Sequence, residues 1–316
     1  MGLFPKRIIG LELDSKEIRA VEVTGNVRQP VITAWGRISL PEGIVRDGRI
    51  VNVESLSTYL ERLITQNGFK SRDVLLGVAN QDVIIRFATF PKVPEDKIRN
   101  MVMFQAQEYI PVPLEELQLD YIVAGEKQNE EGNFLNIILV GARQKMLNDF
   151  IQALSGARLN VREIDSVTMA IGRAAITSIH ESVFAVAGFN HDIANLMIFN
   201  KGVLSLARSV PFSQTLAWKN GDEQPDNSGD MADILISELR SCIGYYRMQS
   251  EDAIEGVYLI GLPNINTIAG KFRDAGYEAK IAQPYQDITY KNSGIGQFNT
   301  NDYSVAISLA IRGLEV

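Results

Sequence analysis

The sequence has one cysteine, Cys242, and two histidines, His180 and His191, among 316 residues. A single cysteine excludes an intramolecular disulfide framework, and this set of thiol and imidazole groups is too small for a structural zinc site. The two histidines also lack the spacing of a zinc-protease helix motif. We expect Cys242 to be a buried, small apolar residue of a helix.

Long apolar runs and basic runs are also missing. The longest apolar stretches, near 183–189 and 137–142, are much shorter than the ~20 residues of a membrane-spanning helix, and the N-terminus lacks the apolar central region of a signal peptide. The net charge of −7 argues against nucleic-acid binding. Hydrophobic residues make up 46% of the chain and charged residues 22%, so we expect a globular, cytoplasmic protein.

Two segments of the chain share one plan, which is a strand, a short polar turn and a second strand. The first segment covers 8–23 and the second covers 183–199, where alternating apolar residues flank a polar break. Apolar residues at helical spacing predict the helices, which are placed at 53–66, from Pro94 to before Ile110, at 144–156, after the polar loop 219–230, around Ile268 and at 303–314. Residues 283–302 are predicted to be irregular.

Two α/β halves that each open on such a hairpin favour the duplicated, ribonuclease H-like fold of actin, Hsp70 and sugar kinases. In that fold each hairpin turn points at a nucleotide phosphate held between the halves. Small turn residues let backbone N–H groups approach the anion, and an Asp organises the metal ion. We place the halves at residues 1–178 and 179–316.

The stretch 104–121, FQAQEYIPVPLEELQLDY, is the most specific part of the sequence. It resembles the signature E-x-Y/I-P-x-P-L-E-E-x-x-x-D-Y of the PilM family of type IV pilus assembly proteins. Further segments agree with that family in order and spacing: 1–4, 40–51, 140–143, 164–174 and 304–314. The resemblance therefore runs nearly from end to end.

The resemblance implies an actin-like fold similar to that of FtsA, with a small subdomain inserted at about 86–142. It implies a cytoplasmic protein that binds the N-terminal cytoplasmic peptide of the membrane protein PilN in a groove beside this subdomain. Through PilN and PilO, such proteins connect the platform in the inner membrane to the motor ATPases. Family members commonly bind ATP with Mg²⁺.

The first phosphate loop of the family reads G-x-D-x-G-S-S, and this sequence departs from it. The loop is Gly10-Leu-Glu-Leu-Asp-Ser-Lys16 here, so Glu12 replaces the metal-organising Asp and Asp14 replaces the turn glycine. Ser15 keeps a small hydroxyl residue, whereas Lys16 occupies a serine position. A fixed carboxylate close to a phosphate costs about several kcal/mol unless a cation intervenes.

The second and third nucleotide elements are altered as well. The second loop should read D-x-G-x-S, but 188–192 places Asn190 at the glycine and Asp192 at the serine, with His191 between them. The adenosine loop keeps only Gly261, and Leu262 would crowd a purine. We therefore predict poor or absent ATP binding, no metal, no catalytic residue and no enzymatic activity.

The turn residues leave two alternatives open. Glu12, Asp14 and Asp192 form either a carboxylate cluster for Mg²⁺ or acid–base chemistry, or ordinary solvated turns. Because Asp and Asn are common turn formers, we favour solvated turns. His191 is either a general base or an exposed turn residue, and we favour exposure.

Candidate partner-binding residues lie in and after the helix that follows Pro94. Met101 and Phe104 are suited to line a peptide groove, since methionine adapts to varied partners. The run that includes Tyr109, Pro111 and Pro113 is either a recognition element or only the turn from helix to strand. At helical spacing, the first two residues are equally consistent with a core position.

Three other functions compete with a nucleotide-free pilus adaptor. The first is a working actin-like ATPase of pilus assembly. The second is a sugar- or acetate-kinase-like enzyme, which the altered phosphate loops disfavour. The third is a homologous component of an MSHA pilus or of type II secretion; the L-type secretion protein is expected to carry a membrane helix after the actin-like domain.

Overall fold

The computed structural model describes residues 6–130, 132–212, 228–261, 264–291 and 298–315. Its strands are β1 (Arg7–Leu13), β2 (Glu17–Asn26), β3 (Gln29–Ser39), β4 (Val45–Arg46), β5 (Arg49–Ile50), β6 (Asp73–Val78), β7 (Val83–Pro91), β8 (Leu117–Asn129), β9 (Gly132–Arg143), β10 (Asn160–Ser166), β11 (Val183–Phe189), β12 (Ile193–Asn200), β13 (Val203–Pro211), β14 (Gly256–Gly261), β15 (Ala279–Ile281) and β16 (Thr289–Tyr290). Its helices are α1 (Val53–Gln66), α2 (Glu95–Gln105), α3 (Gln144–Gly156), α4 (Val167–Ala175), α5 (Ser228–Gln249), α6 (Ile265–Asp274) and α7 (Ser304–Arg312).

Every predicted helix and both predicted hairpins are present, with small shifts at their ends. The N-terminal residues 1–4, residues 219–227 of the polar loop and residues 292–297 of the irregular segment lie outside the described residues. Cys242 is buried on α5, as predicted. Sequence patterns did not predict β10, α4 or β13.

Two sheets repeat one arrangement. The first sheet has the order β10-β6-β1-β2-β3-β16, and the second has the order β13-β12-β11-β14-β15. In each sheet an antiparallel hairpin lies at the centre, formed by β1 and β2 in the first and by β11 and β12 in the second. The first strand of each hairpin also pairs with a parallel strand: β1 with β6, and β11 with β14. Because the two hairpins have equivalent places, their turns lie at equivalent edges of the two sheets.

Helix α1 illustrates how local signals build the first half. The side chain of Asn52 accepts a hydrogen bond from the backbone N–H of Ser55 at 2.9 Å and so caps the first turn. The apolar stripe is buried under the sheet, and each fully buried leucine contributes about 1.5–3 kcal/mol. Its members are Leu56, Leu60, Leu63 and Ile64.

The C-terminal part of the chain returns to the first half, so the predicted second half, 179–316, is too long. Helix α7 packs against β1, β2 and β6, and β16 pairs in parallel with β3. A Cβ added at Gly10 would lie 1.9 Å from the carbonyl oxygen of Ala306, so glycine lets the helix backbone touch the strand. Helix α7 is buried along most of its length, which requires packing on both sides.

The small subdomain has its own sheet and core. Strands β7, β9 and β8 form an antiparallel sheet in that order, and α2 contributes Ile98 and Val102 to a core with Phe90. The subdomain covers 83–143, slightly more than predicted. Its long hairpin is tightly turned, because β8 continues to Asn129 and β9 begins at Gly132.

Candidate functional site

The two hairpin turns meet at the boundary between the halves. The first turn, between β1 and β2, carries Asp14, Ser15 and Lys16, and the second, between β11 and β12, carries His191 and Asp192. The side chains of Asp14 and Asp192 are buried. The prediction of solvated turns is therefore wrong, because each turn is covered by the opposite half.

Each turn is held by its own side chain. In the first turn, Asp14 Oδ1 accepts hydrogen bonds from the backbone N–H groups of Lys16 at 2.8 Å and Glu17 at 3.1 Å. In the second, Asn190 Oδ1 accepts hydrogen bonds from the N–H groups of Asp192 at 2.9 Å and Ile193 at 3.0 Å. Asp and Asn commonly form such turns, and both halves stabilise their hairpin turn by this type of side-chain to backbone hydrogen bond.

Direct hydrogen bonds join the turns across the boundary. Asp192 Oδ2 accepts from the backbone N–H groups of Ser15 at 2.8 Å and Gly48 at 2.9 Å, and Asp192 Oδ1 accepts from the Ser15 hydroxyl. In the reverse direction, His191 Nδ1 lies 2.9 Å from Asp14 Oδ2. This contact half-buries His191, which we had expected to be exposed.

Arg19 lies among three buried carboxylates of the first half. Its Nε is 3.6 Å from Glu12 Oε1 and 3.5 Å from Glu17 Oε1, and its Nη2 is 3.5 Å from Asp14 Oδ2. Glu12 and Arg19 are paired in the register of β1 and β2. Sequence reasoning did not select Arg19, although a charged residue inside the apolar pattern of β2 was a signal.

Burial and pairing shift the acidities of these carboxylates. Burial raises the pKa of Glu12 to about 7, against the lowering effect of Arg19. Burial also acts to raise the pKa of Asp14, but the hydrogen bond from His191 and the charges of His191 and Arg19 hold it below its ordinary value. For Asp192, burial raises the pKa although Ser15 donates to the carboxylate. The cleft therefore holds carboxylates of different proton affinity.

One set of donors in this cleft has the spacing of metal ligands. Single donor atoms of Asp14, Glu17 and His191 lie within 4.8 Å of one another, and an imidazole with two carboxylates suits a transition-metal ion. The guanidinium of Arg19, however, is 3.5 Å from an oxygen of each carboxylate. A positive charge already occupies this position, and a metal ion would have to displace it.

A small cavity lies beside the two turns, with a volume of about 10 Å³, whereas sites for cofactors and drug-sized ligands usually offer ~300–1,000 Å³. With the turns joined as described, a phosphate of the nucleotide that the resemblance implies would reach the N–H groups of Ser15 and Gly48 only by displacing Asp192. The residues around the cavity include Glu12, Arg19, Phe189, Asn190, Ile260 and Gly261.

Gly261 and Lys16 have structural explanations. Gly261 ends β14 with φ of +128°, and an added Cβ would lie 1.9 Å from the carbonyl oxygen of Phe189, so close strand pairing requires glycine here. Lys16 Nζ lies 3.8 Å from a carboxylate oxygen of Glu42 in the first half. Leu262, which we expected to crowd a purine, lies outside the described residues.

The structure separates the predicted partner-binding residues into two groups. Met101 and Tyr109 are half-buried against the subdomain core, and the Tyr109 ring packs edge-on against Phe90 with centroids 5.4 Å apart. Phe104 is instead 85% exposed near the end of α2. The prolines that follow, Pro111 and Pro113, are exposed as well.

The subdomain carries further exposed apolar side chains that sequence reasoning missed. Phe87 and Ile122 both pair with Ile138 in the register of the small sheet, so these three side chains form a row on one face. Alternation along β7 and β8 was the available signal. Val123 pairs with Ile137 and so lies on the opposite face, which packs under α2. The exposed apolar side chains of the subdomain are therefore spread over both faces of the sheet and over α2: Phe87, Met103, Phe104, Ile122 and Val123. We call these five residues the apolar surface of the small subdomain.

The duplicated sheets, their facing hairpin turns and the inserted subdomain define an actin-like protein. In agreement, the chain is similar to the structure of a PilM–PilN type IV pilus biogenesis complex, with a TM-score of 0.79 and 21% identity over 98% of this chain and 99% of the other. It is also similar to the cytoplasmic domain of EpsL, an inner-membrane component of the type II secretion system of Vibrio cholerae, with a TM-score of 0.50 and 13% identity over 98% and 96%.

The family model described as type IV pilus assembly protein PilM matches residues 10–206. This match covers more than half of the chain, and the chain belongs to this family. The fold and the family that the signature at 104–121 predicted are therefore confirmed. Among the described residues, no helix has the length and apolar character needed to cross a membrane.

Proposed function

We propose that this chain is an adaptor of type IV pilus assembly which binds the cytoplasmic N-terminal tail of a PilN-like membrane protein. Its family and its likeness in fold to a protein in complex with PilN support this proposal. Bound to such a tail, the chain lies in the cytoplasm at the inner face of the inner membrane. Through PilN and a PilO-like protein it links the membrane platform to the motor ATPases.

The observation that carries the proposal is the apolar surface of the small subdomain. Phe104 is its most exposed member, at 85%, and the neighbouring Met103 is exposed as well. An aromatic residue among smaller apolar neighbours is the usual anchor of a protein–peptide interface. A tail with apolar side chains has the chemistry to cover this surface.

We propose further that the adaptor works without nucleotide and is not an ATPase. Two features support this: Asp192 pairs with Ser15 and Gly48 across the cleft, and the cavity beside the turns has a volume of only about 10 Å³. Either a nucleotide would have to break these hydrogen bonds, or the two halves would have to separate.

Titration calorimetry with a synthetic peptide of the N-terminal tail of the PilN-like protein from the same organism tests the adaptor. We expect wild-type protein to bind, and Phe104→Ala to bind about tenfold or more weakly, as for an interface anchor. Met248→Ala is the matched control, since Met248 is 78% exposed on α5 of the second half. Absence of binding to wild type, or an equal loss in both variants, would contradict the proposal.

A thermal-shift experiment with Mg·ATP tests the nucleotide-free state separately. A ligand at 100 times its dissociation constant stabilises the folded state by about 2.7 kcal/mol. Because we propose that the chain does not bind nucleotide, we expect no such stabilisation of wild-type protein by Mg·ATP. A clear, saturable increase in melting temperature would favour the rival function of an actin-like ATPase, whatever the peptide result.

A further inference from the structure

Asp192 is bound by donors from two separate elements of the first half. Ser15 belongs to the turn between β1 and β2, and Gly48 belongs to the turn between β4 and β5. Two backbone N–H groups and one hydroxyl converge on the carboxylate, at 2.8 and 2.9 Å for the N–H groups. Convergent backbone N–H groups in turns are how proteins commonly bind phosphates and other anions.

The donors are held by contacts within the first half that do not involve Asp192. Gly48 has φ of +68°, and an added Cβ would lie 2.2 Å from the carbonyl oxygen of Ala79, so its position depends on glycine. Its own carbonyl accepts a hydrogen bond from Asn80 Nδ2 at 2.8 Å. The turn that carries Ser15 is held by Asp14, as described above. The first half therefore presents a built anion site.

The acceptor is fixed as well. The backbone N–H of Asp192 donates to Asn190 Oδ1 at 2.9 Å, and the Asp192 carbonyl accepts from the N–H of Phe212 at 2.8 Å. Asp192 itself is buried, with 7% exposure. Hydrogen bonds inside the second half thus hold Asp192 in place, which reduces the conformational entropy that the contact itself must cost.

The reciprocal contact strengthens the arrangement. His191 Nδ1 lies 2.9 Å from Asp14 Oδ2 and donates to this carboxylate, so the first half also places a carboxylate against the second. The charged groups that face Asp192 from the surrounding elements are Asp14 and His191, with Arg19 behind Asp14. The sequence separation of 177 residues between Ser15 and Asp192 means that only closure of the two halves forms the contact.

We propose that Asp192 is a built-in anion ligand that takes the place of a nucleotide phosphate and holds the two halves closed. The Ser15 and Gly48 donors, with Asp192, form what we call the Asp192 latch. Because it concerns the same cleft, the latch rests on the proposed nucleotide-free state. Removal of the carboxylate should leave an empty site for a small oxyanion, and formate is the anion closest in size to the group removed.

Hydrogen–deuterium exchange of full-length protein tests the latch. In Asp192→Ala, we expect the Ser15 and Gly48 amides to exchange about tenfold or more faster than in wild type, because local opening controls amide protection. Excess formate should slow this exchange in Asp192→Ala and leave wild type unchanged. If Asp192→Ala does not fold, Asp192→Asn replaces it, because asparagine keeps the size of the side chain. In Asp192→Asn the Ser15 and Gly48 amides should also exchange faster than in wild type.

The matched control is Asp73→Ala, since Asp73 pairs with Arg162 inside the first half at 2.9 Å and touches neither turn donor. Unchanged exchange of Ser15 and Gly48 in the Asp192 variants would overturn the latch, as would failure of formate to slow exchange in Asp192→Ala. These results differ from failure of the nucleotide-free state, which appears as stabilisation of wild type by Mg·ATP.

Discussion

The cleft between the halves and the apolar surface of the small subdomain differ in how far their side chains are covered by the rest of the chain. In the cleft, Asp14 and Asp192 are buried and paired with groups of the same chain. On the subdomain, Phe104 has 85% of its surface in water. A buried polar group needs a partner; Asp14 and Asp192 have theirs within the chain, whereas the ring of Phe104 is left mostly uncovered.

The difference indicates where an outside ligand is needed. The donors of the Asp192 latch already have an acceptor, so the folded chain gains little from a ligand there. The apolar surface of the small subdomain gains hydrophobic stabilisation only when something covers it. The proposed function accordingly assigns binding to the inserted subdomain and not to the cleft between the halves.

The largest effect should come from removing the cation of the cleft. Arg19→Met leaves three buried carboxylates without their shared counter-charge, and breaking a buried ion pair in this way costs about 3–5 kcal/mol. Denaturant unfolding measures this loss. Arg162→Met is the control, because Arg162 is 56% exposed and pairs with the 34% exposed Asp73 at 2.9 Å, and an exposed pair contributes little to stability. An equal decrease in the free energy of unfolding of both variants would show that the buried ion pairs of the cleft contribute no more to stability than an exposed pair.

A smaller, pH-dependent effect should follow Glu12→Gln. The pKa of Glu12 rises from its ordinary 4.5 to about 7 on folding, so the folded state holds a proton that the unfolded chain releases in this window. The free energy of unfolding therefore falls as pH rises through the window. The free energy of unfolding of Glu12→Gln should exceed that of wild type by up to about 3 kcal/mol near pH 8 and by little near pH 4.

Denaturant unfolding at several pH values measures this effect, with Glu42→Gln as the control, because the Glu42 carboxylate is 85% exposed in the same half. A stability difference between Glu12→Gln and wild type that stays constant with pH would show that Glu12 does not titrate in the cleft as described.

The smallest effect on stability should be at the apolar surface itself. Phe104→Ala removes a ring that is mostly in water, so the free energy of unfolding should change by less than about 0.5 kcal/mol. Phe90→Ala, in the core of the same subdomain with 1% exposure, should cost about 3–5 kcal/mol. A large loss in Phe104→Ala would mean that the ring supports the fold and is not held ready for a partner.

Local patterns predicted much of the fold. The apolar stripe and Asn52 cap of α1 and the hairpin β1–β2 follow from residues within one turn or one strand pair. Helix α4 and strand β13 were not predicted. Helix α4 has only nine residues. In β13 only Leu204 and Val210 are buried, and they lie six residues apart, so the strand shows no clear alternation.

For the site, the sequence alone determined that the phosphate loops depart from the family pattern at Glu12, Asp14 and Asp192, and that the signature at 104–121 belongs to a pilus assembly family. Only the tertiary structure decided that these carboxylates are buried and paired, and that Arg19 is their counter-charge. The reason is distance along the chain. Periodicity reports on neighbours a few residues apart, whereas Ser15 meets Asp192 across 177 residues, and closing the two halves turns an apparently solvated turn into an internal ligand.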